Sequence, residues 1–177
     1  VCIGLSLALL VLGGRSFITS LRQYAAPERF SYLRDLDDAQ RDAFLWIRDN
    51  APRNSSYLVS PFADSFYLVA ERAMLVSYKH FPASAEDIAE WYRRMRLATG
   101  LRHGLATVGT GPDEYRRRIE RSFYTLDAPV LEQAAGRYGV GYYLGSSDGE
   151  YPYPVVYANE GYVLYRISAD EKGRADQ

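Results

Sequence analysis

Cysteine, histidine and lysine are scarce in this chain of 177 residues: one Cys, two His and two Lys. A lone Cys2 excludes an internal disulfide and any zinc site built on cysteine. His80 and His103 are too few for a multi-histidine metal centre, and neither has a Ser or Cys motif beside it that would make a catalytic triad. No G-x-S-x-G elbow, no Gly-Lys-Ser/Thr phosphate loop and no Gly-x-Gly-x-x-Gly fingerprint occurs. The nearest approach to an acidic metal cluster is Asp35, Asp37 and Asp38, which helix capping explains. No metal or cofactor is therefore expected. Repeats and low-complexity stretches are missing too. A hydrophobic fraction of 47% and a charged fraction of 24% exclude a wholly disordered chain. The length is that of one ordinary domain, large enough to bury about 70% of its unfolded surface without covalent staples.

What is present begins with an uncharged apolar run, Val1 to Leu12, followed by Gly13-Gly14-Arg15. Twelve helical residues span about 18 Å, short of a hydrocarbon core of about 30 Å. The run reads as the end of a transmembrane helix over residues 1–14, with a short buried core helix as the alternative. No basic n-region precedes it, so it is not an intact signal peptide. Residues 15–36 read as a juxtamembrane connector, residues 37–167 as the folded domain, and residues 168–177 as a polar tail that frays. Arg15, Arg22, Arg29 and Arg34 lean towards a cytoplasmic side by the positive-inside rule, which is weak beside large domains.

The expected fold is α/β, with three layers: a mostly parallel sheet that ends in an antiparallel hairpin. Asp37 and Asp38 start a helix that runs to Asn50 and stops before Pro52. Ser56–Ser60 and Ala73–Tyr78 read as strands around a short helix, Ser65–Glu71, capped by Asp64. Ser84 caps a helix to about Thr99 whose apolar face carries Ile88, Trp91, Tyr92 and Met95. Residues 100–111 read as a loop. Pro112 opens a helix with a narrow stripe of Tyr115, Ile119 and Phe123. Asp127 caps another helix, and Gly139–Leu144 reads as a strand. Val155–Ala158 and Tyr162–Ile167 flank Asn159-Glu160-Gly161, a hairpin signature because Asn and Gly tolerate positive φ.

The charge is uneven. Residues 1–92 sum to −2, residues 93–123 to +5 and residues 124–177 to −4. Arg93, Arg94, Arg96, Arg102, Arg116, Arg117, Arg118 and Arg121 make the middle segment basic, and such a segment attracts anions. Arginine suits bidentate contacts to phosphate, although 19 Arg to 2 Lys is a bias that genomic base composition also produces. The expected anionic-lipid or phosphate patch is Arg96, Arg102, Arg116, Arg117, Arg118 and Arg121. The competing expectation is a solvated face with i,i+4 pairs Asp113–Arg117 and Glu114–Arg118. A second expected ligand site gathers Arg72, Lys79, His80, Trp91, Arg93 and Arg94, because ligands of open α/β sheets bind beyond the carboxyl ends of strands. For Lys79 the alternative is an ion pair with Glu90 or Asp87, and for Trp91 it is core packing.

Phe44-Leu-Trp46-Ile-Arg48-Asp-Asn50-Ala-Pro52 resembles the W-I-R-x-N-T-P opening of a soluble domain in certain bacterial polytopic membrane proteins, with Ala51 in place of the Thr. Arg72, Lys79 with Pro82, and Glu90-Trp91-Tyr92-x-Arg94 continue the pattern. Val156-Tyr-x-Asn159-Glu-Gly161-Tyr-x-x-Tyr165-Arg-Ile resembles the closing hairpin of extracytoplasmic domains in GT-C-like membrane glycosyltransferases. The resemblance implies a membrane-anchored domain on the extracytoplasmic (periplasmic) side. It would bind or orient an acceptor or a lipid-phosphate-linked sugar, with its own membrane core as partner and no nucleic acid involved. The catalytic acids of such enzymes lie in an early loop of the membrane core, so this segment is expected to be non-catalytic by itself. The alternative is a structural or partner-docking domain.

Overall fold

The computed structural model describes residues 36–100 and 111–168. The expected end of a transmembrane helix over 1–14, nearly all of the 15–36 connector, Arg102 with the rest of its loop, and the tail beyond Ser168 lie outside the described residues. Among the described residues, no helix is long and apolar enough to cross a membrane.

From Asp38 onward the chain forms one compact unit of mixed α/β structure. Its helices are α1 (Asp38–Asn50), α2 (Phe66–Val69), α3 (Ala85–Thr99), α4 (Pro112–Phe123) and α5 (Ala128–Tyr138). Its strands are β1 (Ser56–Leu58), β2 (Ala73–Met74), β3 (Tyr142–Ser146), β4 (Val155–Ala158) and β5 (Tyr162–Arg166). They form one sheet in the order β2-β1-β3-β5-β4. The β2-β1 and β1-β3 pairs are parallel, whereas β3-β5 and β5-β4 are antiparallel.

Strand alternation sorts the core. Tyr57 and Tyr142 stack at 5.1 Å on one face, where Phe66 meets Tyr57 at 5.4 Å and Phe44 meets Phe66 edge-on at 5.1 Å. Leu58, Tyr143 and Tyr165 belong to the cluster with Met95, Ile119, Phe123 and Leu131. Burying each of the large side chains there contributes about 2–3 kcal/mol. Tyr143 also donates to the Phe123 carbonyl at 3.1 Å, so its hydroxyl is satisfied where water does not reach.

The helix caps follow the chemistry of their residues. Ser84 and Asp127 accept the N–H groups of Asp87 and Val130, as N-caps should. Gly100 and Gly139 close α3 and α5 in the left-handed conformation, with φ of +61° and +65°, which a Cβ disfavours.

Four expectations need correction. Ser65, not Asp64, precedes α2, and it makes no side-chain capping bond. The second strand is two residues rather than six: Leu75 and Val76 are buried in the helical core, and burial is what their apolar run reflects. Tyr92 is exposed, because the buried stripe of α3 runs through Met95, Ala98 and Thr99. The hairpin turn uses no positive φ at Asn159 or Gly161. Instead the Asn159 side-chain carbonyl accepts the N–H groups of Gly161 and Tyr162 at 3.1 and 2.8 Å, an Asx-type turn.

Candidate functional site

Arg72 lies just before β2, at the amino end of the parallel strands. It is buried, and its five N–H donors all go to backbone carbonyls. Nε donates to Pro52 at 3.1 Å, Nη1 to Ala70 and Glu71 at 3.3 and 3.1 Å, and Nη2 to Arg48 and Ala51 at 2.9 and 2.7 Å. A guanidinium has five donors, so none is left for a ligand. Two of its acceptors are the Arg48 carbonyl in the last turn of α1 and the Ala51 carbonyl just after it, where helix-end carbonyls lack partners and favour a cation. Glu71, beside it, takes φ +52°. Arg72 is thus a clamp on the exit of α1, at the opposite end of the sheet from Lys79, and leaves the expected ligand set.

Lys79, His80 and Trp91 do come together, beyond the carboxyl ends of β1 and β2. The Tyr78 N–H donates to the Pro61 carbonyl at 2.8 Å, and Trp91 Nε1 donates to the Ser77 carbonyl at 2.9 Å. These bonds pin the turn that follows β2. Around it Phe62 and Tyr78 meet at 4.9 Å, Tyr78 and Tyr115 at 6.0 Å, and Phe81 and Trp91 edge-on at 5.0 Å. The Arg116 guanidinium covers the Phe62 ring at 5.2 Å, and His80 lies against Tyr67 at 4.9 Å. Phe81 is 58% exposed and Tyr78 42%, so the outcome is a partly exposed aromatic shelf. Lys79 Nζ is 3.5 Å from Asp64 Oδ2, so its partner is neither Glu90 nor Asp87. The sequence reading missed Asp64 as part of this site. Its other carboxylate oxygen is shut from solvent with no hydrogen-bond partner among the described residues.

Arg93 and Arg94 point to a different place. Both hydrogen-bond Glu90, and these bonds, Arg94 first, hold the Glu90 carboxyl below its ordinary range. Arg94 also lies 5.3 Å from the centre of the Tyr138 ring. The expected arginine patch divides: Arg96 lines a groove between α3 and α5, whereas Arg121 lines another, of about 580 Å³, with Asp127, Asp148 and Glu150. Arg116 pairs with Glu120 at 3.0 Å. Arg117 and Arg118 are exposed on α4, and among the described residues Asp113–Arg117 and Glu114–Arg118 are not ion pairs. Nor do the described residues hold a group of three carboxylate, His or Cys side chains arranged for a metal ion.

The motifs at the two ends of the domain meet. Trp46 of α1 packs on Tyr157 of β4 at 4.9 Å. The Tyr157 hydroxyl donates to Asp42, and Asn159 Nδ2 donates to the Ala39 carbonyl at 2.8 Å and to Asp42 at 3.2 Å. A Cβ on Gly161 would stand 3.0 Å from the Ala39 Cβ, so only glycine fits there without displacement. The Trp46, Asn159 and Gly161 of the resemblance therefore join α1 to the hairpin.

A family described as a domain of unknown function, DUF6798, matches residues 38–98. That stretch runs from the start of α1 to the penultimate residue of α3, and it contains the Arg72 clamp, Asp64, Lys79 and Trp91. No curated protein and no solved structure matches the chain.

Proposed function

We propose that this chain is an extracytoplasmic accessory domain of a GT-C-like membrane glycosyltransferase, non-catalytic by itself, that holds the sugar of an acceptor or of a lipid-phosphate-linked donor. The observation that carries this reading is the aromatic shelf of Tyr78, Phe81 and Trp91 beside Lys79 and Asp64. Exposed aromatic rings accept the C–H face of a sugar ring, and an ammonium and a carboxylate at the rim supply a donor and an acceptor for hydroxyls. Its place beyond the carboxyl ends of parallel strands is where ligands of such sheets bind. In the same reading, residues 1–14 end a membrane anchor, and α1–α2 and α3–α5 form the outer layers of a three-layer sandwich about the sheet.

Titration of the 177-residue chain with a polyprenyl-phosphate-linked hexose in detergent, followed by tryptophan fluorescence, tests it. Phe81→Ala should weaken binding about tenfold, as loss of one stacking contact does, with the circular dichroism unchanged. Equal binding by the variant, or none by the wild type, sinks the reading. The exposed Leu68 and Phe81 also favour a second reading, in which the shelf docks on the membrane core. Phe81→Ala would then disturb assembly with that core and leave sugar binding as it was.

A further inference from the structure

A groove of about 370 Å³ runs between α3 and α5. Arg93 and Arg96 line it from α3, Gln133, Arg137 and Tyr138 line it from α5, and no carboxylate among the described residues does. The Arg94 and Arg137 guanidinium groups stand 5.3 and 5.4 Å from the centre of the Tyr138 ring. Arg94 and Arg137 thus flank the Tyr138 ring, Arg93 and Arg96 line the groove beside it, and Arg93 and Arg94 share the Glu90 carboxylate.

Helix termini explain part of this. Arg96 and Arg137 sit in the last turns of their helices, where a cation offsets the macrodipole. Arg48 and Arg121 hold the same position in α1 and α4. Those two do not converge with other arginines: Arg48 pairs with Asp49 at 2.8 Å, and Arg121 faces a groove rimmed by acids. Dipole compensation needs one cation per helix. It does not require two helices to bring their cations to a shared concavity that no carboxylate among the described residues lines.

We propose that this groove binds a phosphomonoester, with the phosphate held by Arg93, Arg96 and Arg137 and the esterified alcohol against Tyr138 and Gln133. Planar guanidinium forks match phosphate oxygens bidentately, and the volume suits a small phosphate ester or one headgroup rather than a polymer. The inference goes beyond the sugar-holding shelf and does not depend on it.

The probes are inorganic phosphate and glycerol phosphate, titrated into the 177-residue chain, and phosphatidylcholine vesicles with or without phosphatidic acid. R96A/R137A should weaken binding about tenfold or more, the loss expected for charge-assisted hydrogen bonds, and rising salt should weaken the wild type. R117A/R118A removes the same charge from the exposed side of α4 and should bind like the wild type. Should R96A/R137A change the circular dichroism, R137Q carries the comparison alone. Binding of the soluble ester with this variant pattern supports a free phosphate ester. The same pattern with phosphatidic acid vesicles only supports a lipid headgroup. No binding of either probe, or equal weakening in both double variants, overturns the proposal. Phe81→Ala serves as a separate control: it should leave phosphate binding intact even if sugar binding fails.

Discussion

Arg72 and Lys79 look alike in the sequence, as isolated cations flanking the second strand, yet they carry different loads. Arg72 is buried and holds five carbonyls. Its removal leaves buried acceptors unpaired, so Arg72→Ala should cost about 3 kcal/mol, and Arg72→Lys should not recover it, because an ammonium lacks the planar fork. Lys79 is 73% exposed in a 3.5 Å pair, and Lys79→Ala should cost less than about 1 kcal/mol. Urea denaturation of the three variants measures the contrast; equal losses would refute it. The sequence could not separate the two residues. Backbone carbonyls accept hydrogen bonds whatever side chain they carry, so a clamp onto Arg48, Ala51 and Pro52 leaves no compositional trace. Phe44 and Ile47 were legible, since their i,i+3 spacing puts them on one buried face of α1.

The contact of α1 with the hairpin makes a pH-sensitive joint. Hydrogen bonds from Tyr157 and then Asn159 hold the Asp42 carboxyl below its ordinary range. Burial, followed by the bond to Asp42, pushes the Tyr157 hydroxyl up to about 12. A carboxyl depressed in the fold stabilises fully above its unfolded value of about 3.9 and loses that contribution as pH falls through the folded value. A phenol raised in the fold stabilises fully below about 10 and loses it as pH climbs towards the folded value. Tyr157→Phe should therefore flatten part of the alkaline decline in stability, and Asp42→Asn part of the acid one, as urea midpoints at acid, neutral and alkaline pH would show. Burial also raises Tyr115, Tyr143, Tyr153 and Tyr165, so the alkaline limb should persist in weaker form. An unchanged pH profile in both variants would count against the joint. The hairpin itself was legible from Asn159-Glu-Gly161. The docking of α1 was not, because its partners lie more than a hundred residues downstream.

Across the whole molecule, the stretch that matches DUF6798 stops before the sheet is closed. Residues 38–98 hold β1 and β2, but β1 takes its other neighbour from β3, and the α1 ring Trp46 takes its partner from β4. A fragment of residues 36–100 leaves Tyr57 and Leu58 without Tyr142 and Tyr143 and should be unfolded by circular dichroism and amide exchange, whereas residues 36–168 should fold. A cooperatively folded short fragment would refute this. The same separation explains why the basic groove was only half legible. A charge count along the sequence finds Arg93 and Arg96, but Arg137 falls in the acidic last third and joins them only because α5 packs beside α3. The α/β class was readable from alternating apolar runs and caps. The parallel strands proved shorter, because much of the apolar signal beyond them belongs to the helical core.

The latch between Ala39 and Asn159 also fixes when the domain can mature during synthesis. As the ribosome releases the chain, α1 emerges first, yet Trp46, Ala39 and Asp42 have nothing to grip until the β4 turn has followed. Until then the face of α1 that carries Trp46 stays uncovered and the sheet keeps an open edge, a state that invites chaperones and wrong partners. The contact between the first helix and the last strands is therefore the one that synthesis leaves to the end.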